Sequence, residues 1–261
     1  MKPTRSILRF LGTGTSTGVP QLLCGCPVCR STDSHDKRLR TSAVLEIAGK
    51  RLLIDCGPDF RSQILEAGQP PLDALLVTHS HYDHLGGIDD LRPYCHRKPD
   101  GFPVYCNASV ANDIRRRLPY CFGNQYYPGA PRFDLRVIGT DTFDFEGIAI
   151  TPLPVMHAPA LEILGYKIGR LCYITDCKTM PADTLRTITG CDTLVINALR
   201  HTPHNSHMNL RDALDVIEVV KPRQAFLTHI SHELGLYSEI EPTLPDHVHL
   251  AYDTLTTEIE N

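Results

Sequence analysis

The stretch His79-Ser80-His81-Tyr82-Asp83-His84 constrains this chain more than any other part of it. Three imidazoles and a carboxylate this close together cannot all be buried core groups, because each buried polar group needs its own partner. A divalent cation supplies those partners. Imidazole nitrogen and carboxylate oxygen suit zinc, manganese or iron, and ligands from one loop can be divided between two ions about 3.5–4 Å apart. Residues 74–78, directly before the cluster, are short and continuously apolar, the pattern of a strand buried in a sheet. Any fold available to this chain must therefore open a buried strand onto a polar site.

Further ligands should come from other strand ends. His157 follows the apolar run 150–155, Asp176 follows 173–175, and His229 follows 226–228. A single strand-end His or Asp is more often a cap or a turn residue. Its recurrence alongside the first cluster makes these three candidate ligands.

The rest of the chain reads as one α/β domain. Strands are predicted at 6–11, 42–47, 51–55, 103–106, 148–153, 163–168, 171–175, 193–197 and 224–228, and helices at 60–67, 109–118, 182–187 and 210–220. The turn Ala48-Gly49-Lys50 joins two of these strands as a hairpin. The glycine run Gly12 to Gly18 lacks the Gly-Lys-Ser/Thr ending of a phosphate loop and the spacing of a dinucleotide fingerprint, so it reads as a strand-end turn. Residues 93–131 carry a long loop over 119–131, a candidate lid over the site. No repeat or linker divides the chain.

With 261 residues and a hydrophobic fraction of 42%, the chain can bury a core without disulfides. A net charge of -4, from 26 basic and 30 acidic residues, argues against a nucleic-acid partner, which needs a basic face. No apolar run approaches the roughly 20 residues of a membrane span, and the N-terminus lacks a signal-peptide core, so a cytoplasmic protein with no membrane partner is expected. Of ten cysteines, Cys56, Cys95, Cys106, Cys121, Cys172, Cys177 and Cys191 are dispersed, mostly inside apolar runs, and read as reduced core residues. Cys24, Cys26 and Cys29 are different. They form a tight cluster one ligand short of a closed tetrahedral zinc site, and His232, three residues beyond His229, can complete a Cys3His set.

The His-x-His-x-Asp-His loop with separate His, Asp and His ligands resembles the metallo-β-lactamase superfamily. The resemblance implies a four-layer αββα sandwich with a two-metal site at its strand ends. His79, His81 and His157 would hold one metal, Asp83, His84 and His229 the other, with Asp176 bridging. Asp55 matches the family's aspartate that orients the histidine loop through hydrogen bonds. The cysteine cluster, the Leu11-Gly-Thr-Gly14 start and the Thr228-His229-Ile-Ser-His232 end narrow the likeness to the PhnP-like phosphodiesterase subgroup, where such a cluster binds a structural zinc.

This resemblance implies two active-site divalent ions (zinc or manganese, with iron also accepted), one structural zinc, and hydrolysis of small phosphodiesters by a metal-activated hydroxide. Cyclic phosphates of ribose or nucleosides are the expected substrates. Asp83 and Asp176 would act in catalysis with His207, which matches the subgroup's catalytic histidine and would protonate the leaving group, although His201 and His204 compete with it. Two alternatives remain: a nuclease resembling tRNase Z, for which Arg115-Arg116-Arg117 gives a foothold, and a metal-stabilised binding module without turnover. The sequence leaves a homodimer open.

Overall fold

Strands that read as continuously apolar do so because both of their faces are covered. In β3 (Lys50–Ile54), Leu52 and Ile54 enter one core while Leu53 enters another on the opposite face. The computed structural model describes residues 6–122 and 129–260. One sheet contains β1 (Ser6–Gly12), β2 (Ser42–Ile47), β3, β4 (Ala74–Leu76), β5 (Phe102–Cys106) and β6 (Phe133–Val137). The second contains β7 (Phe143–Phe145), β8 (Ile148–Ala158), β9 (Leu161–Ile168), β10 (Leu171–Tyr173), β11 (Thr193–Asn197), β12 (Gln224–Thr228) and β13 (Val248–Leu250). The last strand, β14 (Thr256–Ile259), returns to the first sheet, whose order is β14-β1-β2-β3-β4-β5-β6. The second sheet runs β13-β12-β11-β10-β9-β8-β7.

Between the sheets lies a core that includes Phe10, Leu45, Ile54 and Leu76 from one side and Tyr166, Tyr173, Val195 and Phe226 from the other. The outer faces are covered by helices. In chain order the helices of the described residues are α1 (Pro27–Arg30), α2 (Phe60–Glu66), α3 (Tyr82–Leu85), α4 (Arg92–Cys95), α5 (Ala108–Arg117), α6 (Ala182–Ile188), α7 (Leu210–Val220) and α8 (Tyr237–Ile240), of which α1 packs in the small cysteine cluster instead. Phe60 and Ile64 of α2 and Val110 and Ile114 of α5 pack on the first sheet, whereas Ile217 and Val220 of α7 pack on the second. Each such side chain contributes about 1.5–3 kcal/mol of burial. The layers are thus helix, sheet, sheet, helix, as the resemblance implies.

The strand and helix expected within residues 93–131 form as β5 and a helix over 108–117 and pack in the core, so any covering role falls, as expected, to the remainder over 119–131. Of that remainder, 123–128 lie outside the described residues. The Gly12 to Gly18 turn holds, and it has a further job. A Cβ on Gly12 would stand 2.1 Å from the Arg40 carbonyl oxygen, so only glycine permits that approach. The turn also exchanges backbone hydrogen bonds with Ile230, Thr15 N–H donating to its oxygen and its N–H donating to Thr13. Among the described residues no helix is long and apolar enough to cross a membrane.

Candidate metal centres

β3 with β4, and β10 with β11 and β12, are parallel neighbours, so their C-terminal ends open on one side of each sheet. Asp55 directly follows β3, the histidine loop follows β4, Asp176 follows β10 closely, and His229 directly follows β12. His157 lies where the pairing of β8 with β9 shifts register between Met156 and Ala158, an irregularity that re-aims a side chain. Asp55, Asp176 and His229 share a feature that sequence reading did not find. Their φ angles are 59°, 56° and 54°, the left-handed region that Asp, Asn and His tolerate better than other non-glycine residues.

The sequence-chosen residues converge. Ligand atoms of His79, His81 and His157 all lie within 4.8 Å of one another, as do those of Asp83, His84, Asp176 and His229. Asp176 joins the sets: its Oδ1 is 3.2 Å from His84 Nε2, and its Oδ2 is 3.3 Å from His229 Nε2 and 3.9 Å from His79 Nε2. All seven are buried except His81, at the exposed rim.

The far sides of two of the rings are tied down. His84 Nδ1 is 2.7 Å from Asp55 Oδ2, and His157 Nδ1 lies 2.8 Å from the Asp176 carbonyl oxygen and 2.9 Å from that of Ser206. Donation through Nδ1 leaves the Nε2 lone pair for a cation. The buried Nε2 atoms of His79 and His84 have no hydrogen-bond partner. Leaving such an atom unsatisfied costs about 1–3 kcal/mol, so these donor sets fit metal ions.

Electrostatics agree. Burial disfavours charge on Asp83 and Asp176, but His84 and His229 outweigh it and hold both carboxyls below their usual range. Burial, then neighbouring rings, lowers His79 and His81, and burial also lowers His157, keeping them neutral donors. Burial also works against a charged His84, yet Asp176, Asp83 and Asp55 raise its pKa well above the ordinary value. The carboxylates crowded around His84 favour positive charge at its Nε2, a place where a metal ion would stand instead of a proton.

Asp55 also accepts from the N–H and the hydroxyl of Thr78, each at 2.8 Å, so one carboxylate sets both ends of the histidine loop. Asp55→Asn is expected to weaken metal binding about 10- to 100-fold, the usual cost of losing such an orienting partner. Titration of apo protein with zinc measures it, and unchanged affinity would remove Asp55 from this role. Asn197, at the end of β11, was not singled out from sequence. It accepts from Cys177 N–H at 2.7 Å and donates to the Cys177 carbonyl at 3.0 Å, fixing the backbone after Asp176. A polar residue closing an apolar strand is the signal that could have found it.

His207 lies against this group, with Nε2 3.1 Å from Asp176 Oδ2 and its ring 4.7 Å from His157 and 4.8 Å from His229. His204 Nδ1 is 3.2 Å from His207 Nδ1, one step further out, and His201 is exposed. Arg116 and Arg117 are drawn to Asp113 of α5, at 2.6 and 3.8 Å, rather than forming a free basic stripe.

The second cluster also assembles. Cys24 Sγ and Cys26 Sγ lie 3.5 and 3.4 Å from His232 Nδ1, close to the roughly 3.6 Å between sulfur and nitrogen around a tetrahedral zinc. Cys26 caps α1, accepting from Cys29 N–H, and chiefly this bond holds its thiol down to about 6. The seven dispersed cysteines are free and buried, as expected.

Residues 50–230 match the family model of the beta-lactamase superfamily domain. The chain is 45% identical over 255 residues to an octanoyltransferase of Porphyromonas gingivalis, covering 96% of this chain and 51% of that protein. It thus spans about half the length of that relative. A crystal structure of a diphosphatase from the PhnP family shares 36% identity over 98% of both chains, with a TM-score of 0.91. The zinc-bound PqqB of Methylobacterium extorquens shares the fold, with a TM-score of 0.75 and 20% identity over 96% of this chain and 99% of that one.

Proposed function

We propose that this chain, which belongs to the metallo-β-lactamase superfamily and within it to the PhnP family, is a metal-dependent hydrolase of small phosphodiesters. Cyclic phosphates of ribose or nucleosides are the substrate class. His79, His81 and His157 would hold one ion and Asp83, His84 and His229 a second, with Asp176 placed to serve both, and Cys24, Cys26, Cys29 and His232 would hold a structural zinc. Zinc or manganese at the paired site would supply polarisation of the phosphoryl oxygens and an activated water.

The observation that carries the reading is His207. Its Nδ1 faces Ser206 Oγ at 3.0 Å, and its Nε2 is aimed at Asp176 Oδ2, so that a proton on Nε2 would sit beside both ligand groups. A departing ribose alkoxide needs that proton. Burial lowers the pKa of His207, and the bond to Asp176 works the other way by favouring a proton on the ring. His207→Ala is expected to slow cleavage of a ribose cyclic phosphate by about 10²-fold while barely changing a nitrophenyl diester, whose leaving group departs unaided. Equal losses on both substrates would make His207 structural, and loss of an ion would make it a ligand.

Similarity to a PhnP-family diphosphatase favours a second reading, hydrolysis of a diphosphate. A leaving phosphate needs no proton, so His207→Ala would then spare the rate. Acyl transfer, suggested by the name of the Porphyromonas gingivalis relative, would be helped by a poised thiol, and the cysteine beside Asp176 is not one. Cys177 there is fully buried, and burial pushes its thiol up to about 12. Half of that relative lies outside the match.

A further inference from the structure

The loop that carries His207 leaves the second sheet after β11 and returns at α7, whose first turn is fixed by Asn209 accepting from Asp212 N–H. Its neck is closed by backbone hydrogen bonds, Leu199 N–H to the Met208 oxygen and Leu210 N–H to the Arg200 oxygen. Inside the neck Thr202, Pro203 and Asn205 are exposed and contribute nothing to either core. The loop is held again at Ser206, whose carbonyl faces His157 Nδ1, and at Met208, whose N–H donates to the Cys177 oxygen, which leaves the 202–205 stretch in need of support of its own.

Arg200 supplies it. Its Nε donates to the Thr202 carbonyl at 3.3 Å, one terminal nitrogen donates to the Pro203 carbonyl at 3.1 Å, and the other pairs with Glu233 at 2.6 Å. A planar guanidinium can serve three acceptors at once, whereas an ammonium on a flexible stem cannot hold the same geometry. Glu233 adjoins His232 of the cysteine cluster. Its own N–H donates to Ser231 Oγ, and Ser231 donates through both N–H and hydroxyl to the Leu199 oxygen. The segment joining His229 to the cysteine cluster is therefore fastened to the root of the His207 loop at two points.

We infer that Arg200 is a positioning residue that pins the 200–209 loop so that His207 faces Asp176, and that Glu233 ties this pin to the Cys3His cluster. An exposed ion pair contributes little to stability, so the pin acts on geometry rather than on folding. The inference rests on the reading of His207 as proton donor, and two measurements keep the two apart.

Arg200→Ala is expected to lower kcat on a ribose cyclic phosphate about tenfold, with KM, metal content and nitrophenyl diester cleavage nearly unchanged. Arg200→Lys should recover only part of that loss, and Glu233→Gln should show a smaller loss of the same kind. In a His207→Ala background Arg200→Ala should add nothing, since a residue acting through another is not additive with it. Hydrogen exchange of the 202–207 amides in the metal-loaded protein should quicken in Arg200→Ala. Equal losses on both substrates, or additive losses in the double variant, would overturn the pin. If His207→Ala shows no leaving-group dependence, the proton-donor reading falls, and amide exchange alone decides the pin: quickened exchange sustains it and unchanged exchange overturns it.

Discussion

Asp176→Ala is expected to reduce diester hydrolysis by on the order of 10³-fold or more while leaving a folded protein. The magnitude follows from the several kcal/mol that an ion supplies to a phosphoryl transition state, at 1.36 kcal/mol per tenfold. Asp176 reaches His84, His229 and His79 together, so its loss loosens both donor sets at once. The fold should survive because the strand below is held by backbone bonds, Ile174 N–H to Val195, and the turn above by Asn197. Rates on a nitrophenyl diester with a circular dichroism spectrum check both halves. Unfolding at ordinary temperature, or activity within tenfold of the parent, would contradict this division of labour.

Cys26→Ser should act in the opposite sense, costing more stability than chemistry on activated substrates. A closed site contributes binding energy to folding, about 4 kcal/mol when metal stands a thousandfold above its Kd, and for a chain of this size that lowers Tm by about 10 °C. Bound zinc should fall by about one ion per chain. Retention of full zinc content would take Cys26 out of the ligand set.

What could be read from the sequence follows its physics. Helix α7 matches the expected 210–220 because its apolar residues keep helical spacing, and the reciprocal cap of Asn209 and Asp212 fixes its start. Strands β11 and β12 were placed because they are apolar on both faces. By contrast β6, β7, β13 and β14 were missed. These lie at or near sheet edges, carry sequences such as Phe-Asp-Leu-Arg-Val and Thr-Thr-Glu-Ile, and owe their conformation to a neighbour rather than to their own pattern. Strand β8 runs past Pro152 and also past Pro154, where the expected strand over 148–153 stops. It continues because β7 pairs with it only as far as Ile150, so those prolines owe no hydrogen bond on that side. Ligand types and their order were legible because metal chemistry restricts residue choice. Asn197, Arg200 and Glu233 were not, since what they hold is backbone or another side chain distant in sequence.

The left-handed backbone at Asp55, Asp176 and His229 has an evolutionary consequence. Two demands meet at each position, a conformation that few residues accept and a side chain that binds or orients a ligand, and Asp and His satisfy both. In a descendant lineage that abandons chemistry, only the second demand lapses. Asparagine or glycine should then accumulate at 55, 176 and 229, whereas His79 and His81, outside the left-handed region, are free to drift to almost any residue. Such a decayed relative would still carry the outline of its former centre as three left-handed turns that disfavour β-branched residues.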